Sequence, residues 1–189
     1  MKRIMSFLLC VVLLLSFPVV IGSAAEAFES QTNSSTPLFQ IGGSNNKGGQ
    51  EFVPSQNTIK GIQVYLQSSA ANNTVTVAIY KGSVAAGSTN VVYQEALTIG
   101  KQTKWFELIF SKTVSVTPGE LYSFTVNTAE SAVLYGVTGN SGSYLGLNYD
   151  LATIGGWQRG NIAAFKILSK EEHQIVMDMI DALPSKVTL

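Results

Sequence analysis

From Leu38 to Leu168, apolar side chains recur at every second position, in runs too short for helices and broken by Gly, Asn, Ser and Pro. Ile62, Val64 and Leu66 alternate with Gln63, Tyr65 and Gln67, and Val75, Val77 and Ile79 alternate with Thr74, Thr76 and Tyr80. Phe106, Leu108 and Phe110 oppose Trp105, Glu107 and Ile109. Tyr122, Phe124 and Val126 share one parity, as do Ala163, Phe165 and Ile167. A period of two sends successive side chains to opposite faces of a strand, one for a core and one for water. The runs are Gly49–Val53, Thr58–Gln67, Thr74–Lys81, Val91–Ile99, Lys104–Phe110, Glu120–Asn127, Ala132–Val137, Tyr144–Asn148 and Asn161–Leu168. Asn72-Asn73, Gly82–Asn90, Pro118-Gly119 and Gly139–Ser143 supply turn and loop chemistry between them. No helical period intervenes, so the pattern predicts an all-β, antiparallel β-sandwich of about eight to ten strands.

The two ends carry other signals. Lys2 and Arg3 precede the apolar run Phe7–Ile21, and Gly22, Ser23, Ala24 and Ala25 follow it. This is the order of a secretory signal peptide, expected to form a signal helix within residues 1–25 and to be cleaved after Ala25 or Ala27. The competing reading is an uncleaved anchor, because Met5 to Gly22 approaches spanning length. Cys10, the only cysteine, lies inside the apolar run behind Leu9, which does not suit lipid attachment. The exported chain would then have no disulfide framework and would depend on its core. Asn33 and Asn72 head glycosylation sequons that matter only in a glycosylating secretory pathway.

Residues 26–37 read as a flexible polar leader and 38–168 as the β-sandwich domain. The period then changes. Ser169-Lys170-Glu171-Glu172 forms a capping box, and Ile175, Val176, Met179, Ile180 and Leu183 recur at helical spacing before Pro184. Residues 169–189 are expected to form a C-terminal amphipathic helix, either a linker or the start of a further region truncated after Leu189.

Missing chemistry narrows the function. Lys plus Arg and Asp plus Glu number 12 each, so the chain lacks the basic excess that neutralises nucleic-acid phosphates. With 46% hydrophobic and 13% charged residues, it is also unlike a disordered chain. His173 is the single histidine and lies beyond the β region, which leaves no histidine-dependent triad or Cys/His zinc site there. Gly42-Gly43 and Gly48-Gly49 lack the Lys-Ser/Thr of a phosphate loop. Of the acids Glu51, Glu95, Glu107, Glu120, Glu130 and Asp150, Glu107 beside Trp105 is the best single catalytic candidate. No pair at hydrolase spacing is evident, and Asp150 near Asn148 gives only a faint calcium hint. The expectation is a protein that is no enzyme and holds neither cofactor nor metal.

Rings and amides remain. Tyr144, Asn148, Tyr149, Asp150, Trp157 and Arg159 fall in one stretch. Flat rings pack on the apolar C–H face of a pyranose, while amide, carboxylate and guanidinium groups answer its hydroxyls. This stretch is therefore the first candidate ligand site, although the same rings would equally close one end of the sandwich. A second candidate is an outward platform of Gln63, Tyr65, Gln67, Thr76, Tyr80 and Trp105, should neighbouring strands align them. Tyrosine is also simply a good strand former.

The runs Gln50-Glu51-Phe52-Val53-Pro54, Thr58 to Leu66, Val75 to Tyr80 and Trp105-Phe106-Glu107-Leu108 form a wider pattern with Val116 to Tyr122 and with Trp157 before Ala163-Ala164-Phe165-Lys166. It resembles the jelly-roll modules of bacterial exported proteins, of the choice-of-anchor and carbohydrate-binding-like kind. Ile180-Asp181-Ala182-Leu183-Pro184 and Val187-Thr188-Leu189 resemble the start of helical linkers in Gram-positive surface proteins. The resemblance implies a jelly-roll-like sandwich, secreted or at the cell surface, that binds a polysaccharide or cell-surface glycan without catalysis. The charge balance already argues against a nucleic-acid partner, signal cleavage would leave no membrane contact, and a chain truncated after Leu189 would lack further domains downstream. A tryptophan before the final strand is frequent in that group, which favours a packing role for Trp157. The competing expectation is a structural or adhesion spacer that makes protein contacts and takes no small ligand.

Overall fold

Alternation becomes burial strand by strand. The computed structural model describes residues 28–43, 46–139, 144–150 and 156–169. In chain order its strands are β1 (Ser30–Gln31), β2 (Thr36–Ile41), β3 (Asn46–Phe52), β4 (Thr58–Ser68), β5 (Asn73–Lys81), β6 (Val91–Ile99) and β7 (Thr103–Ser115). There follow β8 (Tyr122–Thr128), β9 (Ala132–Val137), β10 (Gly146–Asp150), β11 (Gly156–Arg159), β12 (Ile162–Ala163) and β13 (Phe165–Leu168). A six-stranded sheet runs β11-β10-β3-β8-β5-β6. A seven-stranded sheet is built around β4: one edge pairs with β7, the other with β13 along Gly61–Val64 and with β9 along Leu66–Ser68. β2 and β12 add to β9, and β1 adds to β13. All pairings are antiparallel, as the all-β sandwich expectation requires.

The inner faces are those marked by the period of two. Ile62, Val64, Leu66, Val75, Val77, Ile79, Phe124 and Val126 are wholly buried. Phe124 of one sheet meets Phe165 of the other with ring centroids 5.5 Å apart. Each such side chain stabilises the fold by roughly 1.5–3 kcal/mol.

Two buried amides fix how the layers meet. Gln50 on β3 accepts a hydrogen bond from the Ala163 N–H on the opposite sheet at 3.0 Å, and its own NH2 donates to the Glu51 carbonyl. Asn73 accepts from the Glu130 N–H at 2.9 Å and donates to the Glu130 carbonyl at 3.2 Å, tying the β4–β5 turn to the β8–β9 turn. Gly49 is required by close approach: a Cβ there would lie 2.1 Å from the Phe124 carbonyl oxygen on β8.

Several sequence expectations are corrected. The segment read as a flexible leader is partly paired: Phe28 exchanges two backbone hydrogen bonds with Val53, and Ser30–Gln31 runs beside β13. Its polar composition hides this, because only Phe28, which packs edge-on against Phe165, reaches the core. β2 and β11 were not among the expected runs, and the run Asn161–Leu168 is broken at Ala164 into β12 and β13. The expected signal helix of residues 1–25 lies outside the described residues, as does the C-terminal helix beyond Ser169.

Asn73→Ala leaves both the N–H and the C=O of Glu130 without their partner, so it is expected to lower unfolding free energy by about 2–3 kcal/mol. Urea denaturation beside Thr74→Ala, on the exposed side of the same strand, checks this. Equal losses would show that Asn73 is no pin.

Candidate functional site

The β10–β11 hairpin assembles only part of the first candidate. Tyr149 lies opposite Trp157 and Leu147 opposite Arg159. Directly opposed residues share a face, so Tyr149, Trp157 and Arg159 project from the same outer side of the six-stranded sheet. The two rings are 5.0 Å apart, and Lys47, opposite Tyr149 on β3, places its Nζ 5.7 Å from the Tyr149 ring. Asn148 is opposite Gln158 and Gly48 and points to the other face, while Asp150 pairs in register with Gly156 and Asn46. Tyr144 stacks on Phe28 at 5.3 Å.

Arg159 is already engaged. Its guanidinium donates to Glu51 Oε2 at 2.6 Å, where the Leu145 N–H also donates. Glu51 is completely buried, and its Oε1 has no hydrogen-bond partner among the described residues. A buried carboxylate left without its cation is strongly destabilising, so Arg159 is held as a structural strut. The hairpin therefore offers a ring pair with a cation, and the six expected residues do not converge.

The second candidate also divides, with more left together. Thr76 and Tyr80 stand on the outer face of the six-stranded sheet, whereas Gln63, Tyr65, Gln67 and Trp105 stand on the outer face of the other. In that second group Tyr65 is directly opposite Trp105, and Gln63 is opposite both Glu107 and Lys166. Tyr135 on β9 completes an aromatic row: Tyr65 lies 5.7 Å from Trp105 and 5.5 Å from Tyr135, each contact edge-to-face. The polar groups are tethered. Gln63 donates to Glu107 at 2.5 Å, and the Tyr135 hydroxyl donates to Gln67 at 3.0 Å. Lys166 holds its Nζ 5.6 Å from the Trp105 ring. Sequence reasoning missed Tyr135 and Lys166. Val133, Tyr135 and Val137 alternate with Ala132, Leu134 and Gly136, and both parities hold apolar residues, so the outward one carried no mark.

The open side of the sandwich lies beside this row. At its upper half Tyr93 on β6 packs on Phe110 at 4.7 Å. Glu95 accepts from the Tyr93 hydroxyl and from the Ser111 N–H of β7. Below, the sheets part into a groove of about 490 Å³ lined by Gln63, Thr98, Ile99, Gly100, Lys104, Trp105, Phe106 and Glu107. It runs from the aromatic row over the edge of β7 to the β6–β7 connection. No group of three or more His, Cys, Asp or Glu able to hold a metal occurs among the described residues. Compared with known proteins, the chain matches no family model and no curated relative.

The Tyr93 hydroxyl, and then the Ser111 amide, hold the Glu95 carboxyl below the usual carboxylate range. A lowered folded-state value contributes stability above the ordinary Glu value, and that contribution disappears as pH falls through the lowered one. Glu95→Gln is therefore expected to melt below wild type at neutral pH and to converge with it on acidification. Melting curves across that window check the sign. A gap that widens in acid would refute it.

Proposed function

We propose that this chain is a non-catalytic, carbohydrate-binding-like module of jelly-roll type from a secreted or cell-surface bacterial protein. In this reading it holds a glycan on the outer face of the seven-stranded sheet. The supporting observation is the row Tyr135–Tyr65–Trp105, carried on three paired strands and bordered by Gln63, Gln67, Glu107 and Lys166. A saccharide chain needs apolar ring area for its C–H faces and orienting polar groups for its hydroxyls, and the face supplies both side by side. Its amides and acid are already held by one another and its rings by edge-to-face contacts. Little side-chain freedom is then lost on binding.

The exported chain is expected to be retarded by at least one polysaccharide in affinity electrophoresis. Tyr65→Ala and Trp105→Ala should each weaken that retardation about tenfold, the effect of roughly 1.4 kcal/mol of lost ring contact. Trp157→Ala, on the other sheet, should leave it unchanged. No retardation by any member of a broad panel would sink the reading.

One observation favours the spacer or adhesion alternative. Val91, Val92 and Ile109 are exposed on β6 and β7, at 46%, 37% and 44%. If these strands make protein contacts and no sugar is bound, Ile109→Glu would disrupt adhesion while Tyr65→Ala would not.

A further inference from the structure

We infer that the glycan is anionic and that its acid group is received in the groove at the edge of β7. This rests on the glycan reading above, since the groove continues the same face. Gln63, Trp105 and Glu107 belong to both, and about 490 Å³ is within the range of small-ligand sites.

The donors facing the groove come first from the backbone. The Ser68 N–H donates to the Gln102 carbonyl, which fixes the hydrogen-bonding phase of the β4–β7 pair. In that phase Lys104 and Phe106 turn their peptide groups toward β4, while Trp105 and Glu107 turn theirs away. The Tyr65 N–H, opposite Trp105, correspondingly donates to Ala164 on the far side. Among the described residues β7 pairs with β4 alone, so the N–H and C=O groups of Trp105 and Glu107 both face the opening without a backbone partner, and the two N–H groups are donors to a ligand there.

Charge points the same way. Lys104 lines the groove with its Nζ 5.2 Å from the Phe106 ring, and Lys166 rests over the Trp105 ring. Neither is in an ion pair among the described residues. The one carboxylate lining the groove, Glu107, already accepts from the Gln63 amide. Lys104 in the groove and Lys166 beside it, over the Trp105 ring, thus outnumber a single acid that is partly satisfied, and the outward N–H groups add donors along the same edge. Such donors form their strongest hydrogen bonds with an ionised acceptor. A sugar carboxylate and a phosphodiester present the same acceptor oxygens, and the probes below separate them.

The test is affinity electrophoresis of the full exported chain against polygalacturonate, its methyl ester and a poly(glycerol phosphate). Polygalacturonate or the phosphate polymer is expected to be held about tenfold more tightly than the neutral ester, and added salt should narrow that gap. Lys104→Gln and Lys166→Gln should each weaken the anionic polymer about fivefold, more than they weaken the ester. Lys47→Gln, on the opposite sheet, should change neither. Preference for polygalacturonate assigns the acid as a carboxylate, and preference for the other polyanion assigns it as a phosphate. Equal binding of charged and esterified polymer, or lysine variants that do not discriminate, would overturn the charge inference and leave the glycan reading standing. Failure to hold these polymers or any neutral glycan would overturn both. So would a concentration-dependent dimer through β7 that excludes every polymer.

Discussion

Burial of β4 between its three neighbouring strands and an opposing sheet sets almost everything on the outer surface. Ile62, Val64 and Leu66 are wholly buried, which leaves Gln63, Tyr65 and Gln67 no choice but to face outward. Their partners on β7 are constrained likewise, since Phe106 and Leu108 are buried and Trp105 and Glu107 are not. A slip of one residue between the strands would move a whole apolar set into water, so the core fixes the register strongly. The aromatic row is thus aligned by the core beneath it. Rings placed by such a register are rigid at little extra conformational cost, which the proposed recognition surface would need.

Buried polar groups contribute in two different ways. Gln50 and Asn73 have their bonding satisfied by backbone groups and act as joints between layers and turns. Glu51 differs, because one of its oxygens is paired with Arg159 and the other has no partner among the described residues. The pair adds little net stability, since desolvating a carboxylate offsets most of the attraction. What it does fix is position: Arg159 holds β11 against β3, two strands away in the sheet.

The faces of β4, β5, β7 and β8 were legible in the amino-acid sequence because period-two burial is a local signal. Pairing between strands is not local, and no residue pattern marks it. Tyr80 and Tyr65 share the same alternation yet belong to different sheets, so one expected platform became two faces. Nothing near Arg159 in the chain marks it as engaged, because its partner Glu51 lies 108 residues away. β11 has only four residues, with Trp157 its one large apolar side chain, too little for a period to show. The two rings that flank Tyr65 come from strands far apart in the chain, so no spacing rule could have joined them.

The open side of the sandwich shows the same economy of means. An unpaired edge strand invites pairing with another chain, and proteins blunt such edges with charge or cover them. On β7 the upper half is covered, because Glu95 of the other sheet accepts the Ser111 N–H and Tyr93 packs on Phe110. The lower half has charge instead, with Lys104 and Glu107 flanking Trp105. Charge discourages an incoming strand, but it leaves the backbone donors of Trp105 and Glu107 accessible beside a large ring. A saccharide has no ladder of its own to pair with that edge. On the proposed reading it would use the ring, the ammonium groups and the N–H groups left without a backbone partner among the described residues, without extending the sheet. An arrangement that discourages strand pairing at this edge would, on the proposed reading, leave it open to a ligand that is not a peptide.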